Sequence, residues 1–280
     1  MSANVSMRDA LYEAPGPKTR RRVVIGTGIS LVLLALFVAF VIRQFYVNDQ
    51  LNPKYWLFFT RWTTWRFLLR GFLGTIKVAF TAGVIAMALG LLLMLGRISP
   101  NRVVSGACHV ITDLFRSLPS LLLIYFFFLV IPKYGIRMPA FWMITVPVAL
   151  AASGVLAEVF RAGVNAVPKG QTEAAMSLGM THGKIIRKIV LPQALRIVIP
   201  SLISQLVVVV KDTTVAYVVS YPDLMQNVRV LISNYDALVS MYFVVALIYI
   251  AINYATNQFS IYLAHRSGTQ AISRLEENPV

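Results

Sequence analysis

The feature that most constrains this chain is a set of long runs without charge. Val23 to Ile42 carries no ionisable side chain. At about 1.5 Å per residue, about 20 helical residues cross a hydrocarbon core of roughly 30 Å. Met138 to Ala157 and Ala237 to Ala264 are further uncharged runs, and Gly71 to Gly96 is broken only by Lys77. In hydrocarbon every backbone polar group must be satisfied within the protein, which favours helices. The composition agrees: 58% of the 280 residues are hydrophobic and 13% are charged, about half the charged share of a soluble domain. The expected fold class is all-α, a polytopic membrane protein.

The first run differs from a cleaved signal peptide. Such a peptide has an apolar core of about 7–15 residues followed by small residues, whereas here Arg43-Gln44-Phe45-Tyr46 follows. Residues 23–44 are therefore expected to form a first transmembrane helix, behind a disordered basic tail, 1–22, with Lys18, Arg20, Arg21 and Arg22. Residues 45–68, with Tyr55, Trp56, Trp62 and Trp65, read as an extracytoplasmic interfacial segment, because amphipathic rings favour headgroup level. Two further spans are irregular. Arg102 to Arg116 is mixed and Ser117 to Pro132 carries Pro119 near its start; Ile197 to Val210 is apolar but too short to cross, and Lys211-Asp212-Thr213-Thr214 interrupts it. Six spans result. Placing both termini, including the tail 267–280, in the cytoplasm puts more of the 26 basic residues there.

The polar stretch after the fourth span carries a distinctive pattern. Glu173-Ala174-Ala175 is followed by three residues, Gly179, nine more residues, and then Ile189-Val190-Leu191-Pro192. Glu173 to Leu178 forms helix readily, Gly179 permits the turn that ends it, and 180–190 reads as a second helix. Ile185, Ile186, Ile189 and Val190 lie on its apolar stripe, with Lys184, Arg187 and Lys188 mostly off it. Pro192 is expected to open the next span.

This pattern resembles the EAA-x3-G-x9-I-x-LP signature of permease subunits of ABC importers. Val167-Pro168-Lys169-Gly170-Gln171, Leu191-Pro192-Gln193-Ala194-Leu195-Arg196, Arg116-Ser117-Leu118-Pro119 and Lys211-Asp212-Thr213-Thr214 resemble the polar amino acid branch, most of all bacterial glutamate permeases. The family more often has Arg-Gly-Thr-Pro and Lys-Asp-Thr-Ser at the last two places, which leaves the substrate open. The resemblance covers about residues 69–266 and implies a type I ABC importer permease fold with a coupling loop at 168–192. It assigns ATPase coupling to Glu173, Ala174, Ala175, Gly179, Ile185, Ile189, Leu191 and Pro192, with Glu173 as the polar contact and the hydrophobic positions supplying most of the buried contact. It also implies an ATPase subunit dimer, a second permease subunit, identical or homologous, and an extracytoplasmic solute-binding protein, all at a bacterial cytoplasmic membrane.

Ionisable groups at membrane depth usually face a cavity or a partner, and interrupted spans favour ligand sites. Both criteria select Arg116, Lys211, Asp212, Thr213 and Thr214 as candidate pathway residues. Lys211 lies about 22 Å along a helix from Arg196, well placed for a substrate carboxylate or for pairing with Asp212. The two threonines face either a ligand or freed backbone. Glu158, three positions before Arg161, reads as a local ion pair or a gate.

Several classes are excluded by what the sequence lacks. The net charge of +15 does not read as nucleic-acid binding, because the basic residues sit between apolar runs. One cysteine, Cys108, excludes an internal disulfide framework, and His109, His182 and His265 are too scattered for local metal-ligand spacing. No GxxxxGK[ST] loop is present, so the chain itself is expected to be no enzyme and to hold no cofactor, with ATP and magnesium on the partner ATPase. A secondary transporter or channel for a small polar solute is the alternative; it would show internal repeats and ionisable relays, and neither is clear here.

Overall fold

The computed structural model describes residues 16–266. Those residues are helical or in turns, with no strand among them. They divide into two units, one ending at Trp56 and the other beginning at Leu57.

The first unit is built on α1, Pro17–Val47. Pro17 occupies the first helical position, where no backbone N–H is needed. The helix therefore takes in Lys18 to Arg22, which the sequence had placed in a tail; residues 1–15 of that tail lie outside the described residues. Apolar side chains are exposed on every side of α1, Leu33 and Phe37 among them, as suits a helix solvated by lipid. Beyond it, Asn52 caps a short 3-10 turn, Pro53–Tyr55, and Lys54 pairs with Asp49 at 3.1 Å.

The second unit opens with a 3-10 turn, Leu57–Thr60, and then α2, Trp62–Arg97. Trp62 and Trp65 thus belong to a helix that begins well before Gly71. After α2 come α3, Arg102–Ser117, and α4, Ser120–Tyr125, which continues through a π turn and a 3-10 turn to Tyr134. The α3 and α4 axes are bent by 96°. The cause is local: Leu118 precedes Pro119 and takes an extended backbone, φ −82 and ψ 127, because the proline ring disfavours helix at the residue before it.

Next is α5, Ala140–Asn165, the centre of the unit. Val78, Ala82 and Ala86 of α2 and Ile144, Val148 and Leu156 of α5 are buried in one core with Ile124 of α4. A Cβ added at Gly154 would lie 2.9 Å from the Thr112 carbonyl oxygen and 2.7 Å from the Arg116 backbone nitrogen. Only glycine lets α3 approach α5 that closely, the small-residue packing common between membrane helices.

After the loop helix α6, Lys169–Ser177, the chain enters α7, His182–Ile185, which passes through a π turn, Ile186–Val190, into α8, Leu191–Asp212. This qualifies one expectation and corrects another: Pro192 opens α8, but on a helical path that already runs from His182, and the fifth span is not too short, since that path reaches Val219. Pro192 sits in the first turn of α8, where the π turn hands over to α-helix, so its missing N–H breaks nothing. A 3-10 segment, Thr213–Val219, follows at the expected interruption.

The chain then turns back through α9, Leu224–Tyr235, and ends in α10, Leu238–Arg266. Asp223 caps α9 by accepting the Gln226 N–H at 2.7 Å. Asn227 donates to the Phe67 carbonyl at 2.7 Å, and Tyr235 stacks on Phe58 with centroids 4.7 Å apart. α9 therefore runs antiparallel to the first turns of α2. Among the described residues five helical stretches are long and apolar enough to cross a membrane, and the bent α3–α4 pair makes up to six. The tail 267–280 lies outside the described residues.

Candidate functional site

The loop between α5 and α8 is a compact knob. α6 ends at Ser177 with Leu178 as its C-cap, after which Gly179 adopts φ +70. The Gly179 N–H donates to the Met176 carbonyl at 2.9 Å and the Met180 N–H to the Ala175 carbonyl at 3.2 Å, so the left-handed turn closes the last helical turn. Nothing lies within 4 Å of a Cβ built there. Glycine is required by the backbone conformation and not by crowding.

Beneath this turn the loop has its own small core. Val167, Ala175, Ile185, Val190 and Ala194 are buried together, with Ile186 and Ile189 packed against them. Ala175 and Ile185 of the signature thus face inward, Ile189 and Leu191 are half-buried, and Glu173, Ala174 and Pro192 are exposed. The expected apolar stripe exists, but its buried members are used by the loop itself. The apolar side chains left outside are Met176, 55% exposed, and Leu178, 82% exposed. Neither was singled out from the sequence; their position beside the Gly179 turn is the signal that could have found them.

Two grooves flank the knob. One, of about 420 Å³, has Lys169, Glu173 and Met176 on its rim and Val167 below. The other, of about 480 Å³, separates Leu95 in the last turn of α2, with Ile98 and Pro100 just past it, from His182, Ile186 and Arg187 of the loop. Glu173 makes no ion pair among the described residues, while its backbone carbonyl accepts the Ser177 hydroxyl at 3.0 Å.

The candidate pathway residues fall into two places. Lys211 is exposed at the end of α8, and Asp212 faces Ser120 at the start of α4. The break after Arg116 and the break after Asp212 are thereby brought together. Arg116 is exposed and 3.6 Å from Asp113. Thr213 donates its hydroxyl to the Val210 carbonyl and Thr214 to the Lys211 carbonyl, both at 2.7 Å, so both threonines serve the freed helix backbone. Lys77 lies over the Phe141 ring at 5.0 Å, in keeping with a snorkelling side chain.

Glu158 stands apart, near the loop end of α5. Its carboxylate accepts from Arg161 at 2.7 Å, as the spacing suggested, and from Arg97 at 2.6 Å. Sequence reasoning missed Arg97 because it is distant along the chain. It also missed Asp223, whose side chain is buried and whose Oδ2 has no hydrogen-bond partner among the described residues. Burial pushes the Asp223 carboxyl up to about 6, against backbone hydrogen bonds from Gln226 and Met225 that lower it.

The stretch that contains this glycine-turned knob matches a known family in sequence. Residues 86–268 match the family described as "Binding-protein-dependent transport system inner membrane component". The chain belongs to that family. The permease is 33% identical over 242 residues to the glutamate transport system permease protein GluD of Corynebacterium glutamicum, covering 83% of this chain and 88% of that protein. It is 35% identical over 193 residues to the probable glutamine ABC transporter permease protein GlnP of Bacillus subtilis, covering 68% of this chain and 88% of that one. Among solved structures it resembles a crystal structure of an amino acid ABC transporter with histidines, at a TM-score of 0.70 and 26% identity, over 75% of this chain and 98% of the other. The resemblance drawn from the loop signature, to permease subunits of polar amino acid ABC importers, is the one these relatives share.

Proposed function

We propose that the permease imports a polar amino acid, with an acidic one such as glutamate preferred, and draws its energy from a separate ATPase. It is the translocating subunit, and ATP and magnesium belong to the partner. Two ATPase subunits, a second permease and an extracytoplasmic solute-binding protein complete the importer. The loop end faces the cytoplasm of a bacterial cell, in keeping with the surplus of basic residues on that side; with six spans both termini lie there.

The observation that carries the reading is the knob itself. Its core is closed by Val164 of α5 and Ala194 of α8, yet Met176 and Leu178 stand exposed beside Glu173, the anatomy of a protein contact with apolar anchors and a polar rim. Glu173 is the group for a partner arginine. The preference for an acidic substrate rests on exposed Lys211 at the α8 break, with the likeness to GluD in support; the likeness to GlnP is equal in weight, so the charge of Lys211 is what favours the acidic reading.

The test is affinity purification of the permease from its own membranes, followed by reconstitution into vesicles. Co-purification of an ATPase and uptake of labelled glutamate only with ATP are expected. Uptake that persists without ATP, in a complex without an ATPase, would establish the secondary-transporter reading instead. Equal competition by glutamate and glutamine would remove the acidic preference and leave the importer.

A further inference from the structure

We infer that Arg97 is a positioning residue for transport: by clamping Glu158 it passes motion of the loop, through α5, to α2 and α3. This rests on the importer reading above.

The geometry has three parts. First, α5 feeds the loop directly, since Val167, just past its end, is buried in the loop core. Second, α2 ends at Arg97 on the far side of the groove of about 480 Å³ from His182, Ile186 and Arg187. The loop and the end of α2 are separated there by open space, although Leu95, Ile98 and Leu191 pack against the common core. Third, the Arg97 guanidinium reaches Glu158 at 2.6 Å, with the two side chains 11% and 20% exposed. A charge-assisted bond that short, largely out of solvent, fixes orientation as apolar contact alone does not.

Arg97 also gathers a third helix. Its backbone carbonyl accepts the Ser105 hydroxyl at 2.7 Å, tying the first turns of α3 to the same residue. Glu158 makes two bonds, but the one to Arg161 stays within α5. Only the bond to Arg97 crosses between helices. Removing Arg97 leaves a largely buried carboxylate held by a single arginine of its own helix, so the ends of α2 and α5 lose their charge-assisted tie and are registered by apolar packing alone.

The test uses the complete importer in vesicles and reads ATP hydrolysed and amino acid taken up in parallel. For Arg97→Gln, uptake per ATP is expected to fall about fivefold or more, the scale of a typical coupling between sites, while hydrolysis continues. Arg161→Gln, which removes the bond within α5, is expected to change the ratio by less than about twofold. Arg97→Lys, which keeps the charge, should recover part of the loss. Equal effects of Arg97→Gln and Arg161→Gln, or an unchanged ratio in Arg97→Gln, would overturn the inference. Should Arg97→Gln not accumulate in membranes, the exchanged pair Arg97→Glu with Glu158→Arg decides: a ratio above that of either single exchange supports the clamp, and none overturns it. An unaltered complex that takes up substrate without ATP removes the importer reading, and this inference with it; an unaltered complex that couples normally, with indifferent Arg97 variants, removes this inference alone.

Discussion

The hydroxyl oxygen of Thr75 accepts the backbone N–H of Leu224 at 3.1 Å, joining positions 149 residues apart. Leu224 is the first residue of α9, whose opening N–H groups have no partner within the helix. Asp223 takes the Gln226 N–H and Thr75, one full turn below Gly71 in α2, takes that of Leu224. The segment that follows the α8 break is thereby seated on α2.

That seat depends on Gly74, where an added Cβ would collide with the Pro222 carbonyl oxygen. Gly74→Val is expected to destabilise the permease by about 1–3 kcal/mol, the scale of overpacking. Thermal unfolding in detergent checks it, and a variant as stable as the parent would show that the segment relaxes freely.

Asp223 makes stability depend on pH. Its carboxyl is pushed up to about 6 from 3.8 by burial, so the folded protein holds this proton more firmly than the unfolded chain. Both states are protonated below about 4 and there is no penalty; as pH rises to about 6 the folded state loses up to roughly 2–3 kcal/mol through this group. Asp223→Asn keeps a capping side chain and removes the charge. Its unfolding temperature relative to the parent is therefore expected to be higher at pH 7.5 than at pH 5; a constant difference would contradict the assignment.

At Gly179 any other residue must adopt φ near +70, at a cost of about 1–2 kcal/mol, although space is open. Gly179→Ala and, more severely, Gly179→Pro are expected to weaken ATP-coupled uptake with normal membrane insertion. Glu173→Ala should act in the same direction. Full uptake with all three would dissociate the knob from coupling.

Leu178 is 82% exposed, so Leu178→Ser should leave the permease fold unchanged within about 0.5 kcal/mol. The amount of ATPase that co-purifies is expected to fall. Equal recovery of ATPase would place the contact elsewhere on the loop.

Lys211 is exposed as well, and Lys211→Ala is expected to spare folding and ATPase recovery while lowering uptake. The loss should be greater for glutamate than for glutamine, because only the former has a side-chain charge to lose. Equal losses would assign Lys211 to the shape of the α8 break.

The long uncharged runs, the two irregular spans and the Gly179 turn were legible in the sequence, since each follows from local chemistry: apolar length, the restriction that Pro119 places on Leu118, and the left-handed freedom of glycine. Tertiary structure decided what those elements do to one another. It spent Ile185 and Ala175 on the loop's own core and left Leu178 and Met176 outside, and it carried the fifth helical path through Pro192 from His182. It also brought Arg97 to Glu158 and Thr75 to Leu224 across long stretches of chain. Periodicity shows that a helix has an apolar face, but which neighbour covers that face, and which charge finds a partner, depends on residues that meet only when the chain is folded.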